Sequence, residues 1–463
     1  MKKISAFILI FLIALASLFI IPSSASDDFI IEDNVLMSYV GKAKSVSIPD
    51  DVFYIADGAF KDNTTITSVN LNNVSVIGNE AFYGCTSLSS VKEADSVSSV
   101  GAYAFYGTPF LDKNKVVVLN NVAVGGKPAG DLVLDDKISA IAPYAFSQNT
   151  AITSLRVPET LNTIGEGAFF GCTSLERVKL NNTLSYIGPL AFQGTAYLNT
   201  TDKEFLVLGD GILVKYSGTA EGITLPDNVK QIAGSAFYGN KTIKKIAFTD
   251  NVSYIGMRSF MNCTALDTVA FGKGLKVLDK EAFAMCTSLK KAVVPESVEL
   301  VGDSVYYGCS SVDIAEYKSQ ASVPDGTFAK CTALRIVILN HNIGRIGDSA
   351  FLECSSLCDI PVPDSVNYIG KDAFSGAGGV TVSCNSKSYA NSYCADNGIN
   401  TVQSGDANLD GKVNIRDATY IQKYVASMVE FTSLESLRAE ANFDGKINIR
   451  DATYIQKLLA ALV

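Results

Sequence analysis

A phenylalanine that returns at nearly constant intervals constrains this chain more than any other feature. Phe60, Phe82 and Phe105 are 22 and 23 residues apart, and the interval continues along most of the chain. The slot is occupied in turn by Phe60, Phe82, Phe105, Phe146, Phe169, Phe192, Phe237, Phe260, Phe283, Tyr306, Phe328, Phe351 and Phe374. Such a period is typical of a solenoid, whose units cannot bury their apolar faces alone and therefore stack on one another.

The consensus around this residue predicts a short strand in each repeat. It reads Ile-Gly-x-x-Ala-Phe-x-x-Cys-Thr-x-Leu-x-x-Val-x-Leu, as at residues 164–180. In that copy we expect Leu175, Val178 and Leu180 to point inward and the charged residues between them to point outward, because side chains alternate along a strand. The strands of successive repeats should line up on one face of the solenoid.

These motifs resemble the BspA-type leucine-rich repeat family over residues 29–402. The resemblance implies a leucine-rich repeat solenoid with short parallel strands, one per repeat of 22–23 residues, joined by turns and short helices. Two intervals are longer, 41 residues from Phe105 to Phe146 and 45 residues from Phe192 to Phe237.

Copies of one sequence block account for these breaks. Residues 33–60 and 210–237 are copies of one block, and a shorter copy starts near Asn121. Each block predicts a hairpin followed by a strand, so the solenoid should restart three times. At the other end, a capping helix is predicted near residues 388–398, closed by Gly398. Residues 401–404 are expected to be a short linker.

Seven of the ten cysteines lie three residues after the aromatic slot, a fixed register that predicts small buried side chains rather than a disulfide framework. A bridge between neighbouring repeats is nevertheless possible at the strand spacing of about 4.8 Å. The pairing of Cys384 with Cys394, which lie outside the register, stays open. Cys358 falls on an outward position and is expected to be a free thiol. The seven are Cys85, Cys172, Cys263, Cys286, Cys309, Cys331 and Cys354.

Basic residues are concentrated at the outward strand positions. We identify as a candidate ligand face Arg177, Lys179, Lys244, Lys245, Lys290, Lys291 and Arg335, with Lys92 and Arg156 on the same strip. The acidic residues counted against them are Glu176, Asp267, Asp313, Glu316 and Asp359. Two interpretations remain: exposed strand positions collect lysine for solubility, or the strip binds an anionic partner.

Composition excludes several functional classes. Thirty-eight basic and 47 acidic residues give a net charge of −9, whereas a nucleic-acid-binding protein needs a basic footprint. His341 is the single histidine and falls in a predicted loop, so a histidine-dependent catalytic centre would depend on it alone. The repeats show no catalytic spacing, and we predict that the protein is not an enzyme.

The last 60 residues carry two copies of a calcium-binding pattern. Residues 406–417 place oxygen-bearing side chains at loop positions one, three, five and twelve, a backbone carbonyl at seven and glycine at six. Thirty-four residues later the pattern repeats, and residues 414–423 and 448–457 are identical. An amphipathic helix should follow each loop.

This tandem resembles a type I dockerin, the module that attaches proteins to the cohesins of a cellulosome scaffold, over residues 405–463. The resemblance implies a small all-α domain of two EF-hand-like loop-helix units with two calcium sites. The backbone carbonyls of Lys412 and Lys446 would contribute to them, and Glu440 replaces the usual aspartate at position one. The implied metal ligands are Asp406, Asn408, Asp410, Lys412, Asn414, Asp417, Glu440, Asn442, Asp444, Lys446, Asn448 and Asp451.

The family pattern also implies a cohesin-binding surface. It would be formed by loop positions ten and eleven and by the helix that follows. In this chain those residues are Ile415, Arg416, Gln422, Lys423, Ile449, Arg450, Gln456 and Lys457. An Ile-Arg pair in place of small hydroxyl residues implies a distinct cohesin specificity.

The N-terminus predicts export. Lys2 and Lys3 precede an apolar stretch, residues 6–21, and a small-residue site follows. This is typical of a signal peptide, residues 1–25, cleaved after Ala25. The alternative, an uncleaved anchor, would need a longer apolar run, and no membrane span is predicted after cleavage.

We therefore expect a secreted, extracellular binding or adhesion protein. Its solenoid would bind a protein or glycan, and its calcium-dependent dockerin would attach it through the cohesin of a scaffoldin to a cell-surface cellulosome. The alternative is an accessory subunit of a polysaccharide-degrading or proteolytic complex with hydrolase activity, since most dockerin-bearing proteins are hydrolases. The two long intervals leave too little chain for a catalytic domain.

Overall fold

The computed structural model describes residues 28–200, 202–442 and 446–460. Contacts divide the chain into two compact units, Met1–Lys113 and Asn114–Val463. The predicted signal peptide, residues 1–25, lies outside the described residues. None of the described helices has both the length and the apolar character that crossing a bilayer requires.

The first unit begins with a hairpin and continues as parallel strands. β1 and β2 pair antiparallel, and β4, β6 and β8 extend their sheet in parallel. β3, β5 and β7 form a second parallel sheet, and a 3-10 turn follows at Pro109–Leu111. The strands are β1 Phe29–Glu32, β2 Val35–Tyr39, β3 Ser45–Ser47, β4 Tyr54–Ile55, β5 Ser68–Asn70, β6 Val76–Ile77, β7 Ser90–Lys92 and β8 Ser99–Val100.

The second unit repeats this arrangement twice and then adds helices. Its strands are β9 Val116–Leu119, β10 Val122–Gly126, β11 Gly130–Val133, β12 Ala140–Ile141, β13 Ile152–Arg156, β14 Thr163–Ile164, β15 Arg177–Lys179, β16 Tyr186–Ile187, β17 Phe205–Leu208, β18 Ile212–Tyr216, β19 Gly222–Thr224, β20 Gln231–Ile232, β21 Lys245–Ala247, β22 Tyr254–Ile255, β23 Thr268–Ala270, β24 Val277–Leu278, β25 Lys291–Val294, β26 Leu300–Val301, β27 Ile314–Tyr317, β28 Ile336–Leu339, β29 Arg345–Ile346, β30 Asp359–Pro361, β31 Tyr368–Ile369, β32 Thr381–Cys384 and β33 Asn400–Gln403. The helices are α1 Ala196–Thr200, α2 Tyr389–Asn397, α3 Ile415–Val425, α4 Ser433–Ala439 and α5 Ile449–Leu459.

Each repeat supplies two strands to two parallel rows. The predicted strand forms sheets such as β19-β21-β23 and β25-β27-β28-β30-β32-β33. A second strand of two residues, which was not predicted from the sequence, forms rows such as β20-β22-β24-β26. This strand precedes the repeat glycine, and a Cβ at Gly302 would lie 2.2 Å from the backbone nitrogen of Lys280 in the preceding repeat. At Gly302 a side chain would therefore clash with the stacked backbone, although Ala233 and Asp279 occupy the same position in other repeats.

The periodic aromatic residues form a stacked row inside the repeats. Phe260 and Phe283 have ring centroids 5.0 Å apart and an interplanar angle of 7°, and the stacking continues through Tyr306 to Phe374. These rings are almost completely buried. Each repeat thus covers the aromatic ring of its neighbour, which explains why a single repeat could not be stable alone.

The three predicted restarts are hairpins. They are β1–β2, β9–β10 and β17–β18, all antiparallel. In the first and third, a tyrosine of the second strand takes the aromatic slot: Tyr39 packs on Phe60 and Tyr216 stacks on Phe237. The rows of rings therefore begin within the hairpins, before the first residue that matches the repeat consensus.

The predicted cap forms α2. Ser388 is its N-cap and accepts a hydrogen bond from the Asn391 backbone, and Gly398 closes it at a φ of 66°. The prediction of a linker at residues 401–404 is wrong. Residues 400–403 are β33, which pairs in parallel with β32 as the last strand of the sheet.

The seven in-register cysteines are buried and unpaired. Each thiol donates a hydrogen bond to the carbonyl of the aromatic residue one repeat earlier, for example Cys286 to Phe260 at 3.1 Å. Burial raises the pKa of Cys85 and Cys172 to about 11 and that of Cys309 to about 12. The seven thiols satisfy backbone carbonyls between stacked repeats, and the raised pKa of Cys85, Cys172 and Cys309 leaves these three with little thiolate at neutral pH.

Cys358 is exposed, so we expect it to be the one thiol that reacts rapidly in the native chain. At pH 8, Ellman's reagent should titrate one thiol per molecule, because burial keeps the reagent from the other nine. In guanidinium without reductant, ten thiols should react. A count of eight would mean that Cys384 and Cys394, both free in the structure, are bridged, and Cys358→Ser is the matched control for the native signal.

Candidate calcium and partner-binding sites

The two C-terminal helices pack against each other as near copies. Ala418 and Ile421 of α3 and Ala452 and Ile455 of α5 are completely buried. Both helices begin with an asparagine N-cap and a capping box, formed by Asn414 with Asp417 and by Asn448 with Asp451. The identical sequences therefore fold into two equivalent loop-helix units, with α4 between them.

In the first loop, side-chain oxygens bind backbone N–H groups and fold the chain around them. Asp417 accepts hydrogen bonds from the backbone of Asn408 at 3.1 Å and of Asn414 at 2.8 Å. Asp410 accepts from the backbone of Lys412 at 3.0 Å. These bonds gather the predicted ligands of residues 406–417 into one tight turn.

The donor set of this loop fits a hard cation. The Asp406 side chain is only 2% exposed, and its Oδ1 is buried without a hydrogen-bond partner in the described part of the chain. Burial raises the pKa of Asp417, and the Asp406 and Asp410 carboxylates raise it further, although backbone N–H groups lower it. An unpartnered carboxylate oxygen among like charges is what a bound calcium ion would stabilise.

Carboxylates alone do not make this site. Within residues 28–200, 202–442 and 446–460, no three acidic, cysteine or histidine side chains form a metal cluster by themselves. The Asn408 amide and the Lys412 carbonyl would therefore have to complete the coordination. These are oxygen donors of the kind that calcium accepts.

In the described residues of the second loop, Asp451 makes the same hydrogen bonds as Asp417 makes in the first. Asp451 accepts hydrogen bonds from the backbone of Asn442 at 3.3 Å and of Asn448 at 2.8 Å. The Lys446 carbonyl accepts from the Asn448 side chain, and half-buried Glu440 ends α4. Asp444, a predicted ligand, lies outside the described residues.

The predicted cohesin-binding residues are exposed in both copies. Ile415 is 56% exposed and Ile449 52% exposed, although both are large and apolar. The other six, Arg416, Gln422, Lys423, Arg450, Gln456 and Lys457, are exposed as well. The structure thus leaves two similar surfaces open, one at the start of each helix.

Among the described residues, acidic neighbours pair with four of the nine basic residues of the strip. Lys244 pairs with Glu221 at 2.8 Å, Arg335 with Asp313 at 2.7 Å and Arg177 with Asp131 at 3.2 Å. Lys291 pairs with Glu316. Backbone hydrogen bonds join successive repeats in the alternating column Glu221, Lys244, Asp267, Lys290, Asp313 and Arg335. The sequence analysis did not single out Asp131 or Glu221, although Glu221 lies one 23-residue period before Lys244.

Two cations at one end of the strip have no such partner. Arg156 and Lys179 face each other in register on β13 and β15, and neither has an ion pair among the described residues. Both are exposed, and Val133 on β11, next to Arg156, is an exposed apolar residue. Lys245 and Lys290 also lack ion-pair partners in this part of the chain.

The placement of Asp359 on the outward strip is wrong. Its side chain is 4% exposed and binds Arg438 of α4 at 2.7 Å. Arg438 was not singled out in the sequence, and no repeat spacing points to it. His341, in contrast, is exposed in a turn, as expected.

Comparisons with known proteins match both parts of the chain. A family model described as "BspA type Leucine rich repeat region (6 copies)" matches residues 29–123, 128–204, 215–335 and 289–399. A model described as "Dockerin type I domain" matches residues 404–460. A search of curated proteins gives no match.

Several solved structures are similar over most of their length. A leucine-rich cell surface protein from Faecalibacterium prausnitzii is 23% identical, with a TM-score of 0.34, covering 67% of this chain and 92% of that one. A leucine-rich repeat protein from Bacteroides ovatus is 22% identical, with a TM-score of 0.32 and coverages of 83% and 99%. The pneumococcal vaccine antigen PcpA is 14% identical, with a TM-score of 0.33 and coverages of 82% and 97%.

Proposed function

Since the chain belongs to the BspA-type leucine-rich repeat family and carries a C-terminal type I dockerin domain, we propose that it is an exported adhesion or binding component of a cellulosome. The dockerin, residues 405–463, binds two calcium ions and docks onto a scaffoldin cohesin. The solenoid, residues 29–402, presents a surface to a protein or glycan partner. Residues 1–25 are a signal peptide, and the exported protein is held outside the cell by the scaffoldin cohesin that its dockerin binds.

One observation carries this proposal: two equivalent loop-helix units each leave a large apolar residue exposed. Ile415 and Ile449 follow directly on the two asparagine N-caps. Exposed apolar residues at matching positions of a tandem repeat are expected where a partner docks. The loops that fix these helices are the predicted calcium sites, so docking should depend on calcium.

The solenoid serves recognition rather than catalysis in this proposal. Neither matched family is an enzyme family, and the repeats are filled by stacked aromatic rings and aliphatic side chains. A stacked repeat array offers an extended surface for binding. Hydrolysis would then be performed by other subunits of the assembly.

The test is binding of the full-length chain to a panel of immobilised cohesins in calcium and in EDTA. At least one cohesin should bind in calcium and none in EDTA. The same preparation should release no sugar from plant polysaccharides and no peptide from casein. Absence of cohesin binding throughout the panel in calcium would contradict docking, and measurable hydrolysis would favour a catalytic subunit.

We expect the unpaired cations Arg156 and Lys179 to contribute most to recognition of an anionic glycan. Reversing both to glutamate should weaken binding to polygalacturonate, measured by affinity electrophoresis, and leave the melting temperature nearly unchanged because neither residue forms an ion pair. The paired lysines are poorer choices, because reversing them would place like charges side by side.

The matched control for this variant is Lys42→Glu with Lys44→Glu. Both lysines are exposed, and their reversal changes the net charge by the same amount. If the control weakens glycan binding as much, the effect is general electrostatics and the strip serves solubility. Equal binding by all three proteins would lead to the same conclusion.

A further inference from the structure

Three charged side chains join the solenoid to the dockerin. Arg438 of α4 donates two hydrogen bonds, from Nε at 2.9 Å and Nη2 at 2.7 Å, to Oδ2 of Asp359 on β30. Its Nη1 donates a third, at 3.0 Å, to Oδ2 of Asp406. The Arg438 side chain is 13% exposed and the two carboxylates less than that. Asp359 belongs to the solenoid, whereas Asp406 is position one of the first calcium loop.

Each member of this triad is held in a defined way. Oδ1 of Asp359 accepts a hydrogen bond from the Ser383 hydroxyl at 2.9 Å, so this carboxylate is bound at both oxygens. Buried charges that are paired and hydrogen-bonded on all sides have little freedom to move. The guanidinium of Arg438 is therefore fixed from the solenoid side.

The fixed guanidinium in turn orients the metal ligand. Oδ2 of Asp406 accepts hydrogen bonds from Arg438 and from the Gly411 backbone at 3.1 Å. Oδ1 of the same carboxylate is buried and has no hydrogen-bond partner among the described residues. One oxygen is thus held while the other is left available, which is how an outer-shell partner presents a carboxylate to a metal ion.

Charge leads to the same conclusion. A guanidinium hydrogen-bonded to a metal ligand would oppose a divalent cation through its positive charge. Asp359 offsets that charge from the far side. Arg438 can therefore position Asp406 without lowering the affinity of the loop for a cation.

We propose that Asp359, a residue of the solenoid, is a positioning residue for the first calcium site of the dockerin, acting through Arg438. The inference rests on the calcium binding of the proposed function and adds to it that the solenoid contributes to the site. Arg438 is not part of the internal repeat, since Ser404 stands 34 residues before it. By linkage, calcium in this loop also stabilises the junction between the two domains.

The experiment measures calcium affinity in the full-length chain by titration calorimetry. Asp444→Ala is the background, because it removes a predicted ligand of the second loop and leaves the first as the site observed. In this background Asp359→Asn should weaken calcium binding by about 10-fold, the lower end of the loss expected when an outer-shell partner of a metal ligand is removed. Circular dichroism melting confirms that the repeats remain folded.

Two further variants separate positioning from a general loosening of the junction. Tyr454→Phe removes the hydroxyl that accepts a hydrogen bond from Asn385 at 2.9 Å, a second contact between solenoid and dockerin, and should leave calcium affinity unchanged. In an Arg438→Gln background, Asp359→Asn should change the affinity by less than about twofold, because the link is already broken.

Three results would overturn the proposal. Asp359→Asn could leave the calcium affinity unchanged, or Tyr454→Phe could lower it as much as Asp359→Asn does. In the third, Asp359→Asn would lower the calcium affinity in the Arg438→Gln background as much as it does when Arg438 is present. Failure of the proposed function looks different. In that case the wild-type chain would take up no calcium at all, and the inference would fall with it.

Discussion

Removing calcium from the full-length chain is expected to unfold the dockerin and abolish cohesin binding while the repeats stay folded. Among the described residues, five of the seven fully buried hydrophobic side chains in the dockerin core are alanines. Domains of about 60 residues bury too little apolar surface for much stability, and in such domains metal binding supplies folding free energy directly. Without the ion, the buried carboxylates of Asp406 and Asp417 repel each other.

The contribution of Asp417 to the pH dependence of this effect has a definite sign. In the metal-free loop, burial and the nearby carboxylates raise the pKa of Asp417. A raised pKa in the folded state stabilises it below the ordinary aspartate pKa, and this contribution is lost as the pH rises through the raised value. Asp417 should therefore stabilise the metal-free dockerin less at neutral than at acid pH, whereas Glu435, whose pKa the hydrogen bond from the Thr432 backbone lowers, contributes with the opposite sign.

Circular dichroism at 222 nm in excess EDTA measures the unfolding, because α3, α4 and α5 hold most of the helical residues of the described chain. Magnesium at the same concentration is the control for ionic strength. The β signal of the repeats should remain in EDTA at the temperature of the experiment. Retention of both the helical signal and cohesin binding in EDTA would contradict the prediction.

Much of the solenoid could be predicted from the sequence because its contacts are periodic. The aromatic slot predicted a stacked core, and the cysteine register predicted buried thiols. Ser388 and Gly398 marked the cap because helix capping is a local property. Contacts between residues one repeat apart follow directly from the spacing, so no three-dimensional information was needed to find them.

The features that were missed lie where the repeat consensus is absent or pair with residues outside the repeats. Tyr39 and Tyr216 take the aromatic slot from hairpin strands, where the consensus is absent. Two acidic partners of the basic strip, Asp131 and Glu221, were missed because they lie in the two long intervals, where the repeat consensus is absent. Asp359 seemed to be an outward strand residue, and only the placement of α4 beside β30 shows that it is buried against Arg438.

The two loop-helix units of the dockerin are nearly identical, and each could therefore bind a cohesin in the same way. Both N-caps have a φ near −150° and the same capping box, and Ile415 and Ile449 are exposed to nearly the same extent. The environments are not identical, since Tyr454 contacts Asn385 of the solenoid while Tyr420 bonds Glu435 of the dockerin. Neither contact covers the predicted cohesin-binding residues.

We expect the dockerin to bind one cohesin in two orientations, each dominated by one copy. The double variant Ile415→Asp, Arg416→Asp should then lower the affinity for cohesin by only about a factor of two, or ~0.4 kcal/mol, because the equivalent surface at Ile449 and Arg450 remains. The matching change at 449–450 should cost as little. Changing all four should cost several kcal/mol, about 3 or more, since no apolar anchor is left. Titration calorimetry with the same cohesin compares the three variants, and a large loss from either double variant alone would mean that a single orientation is used.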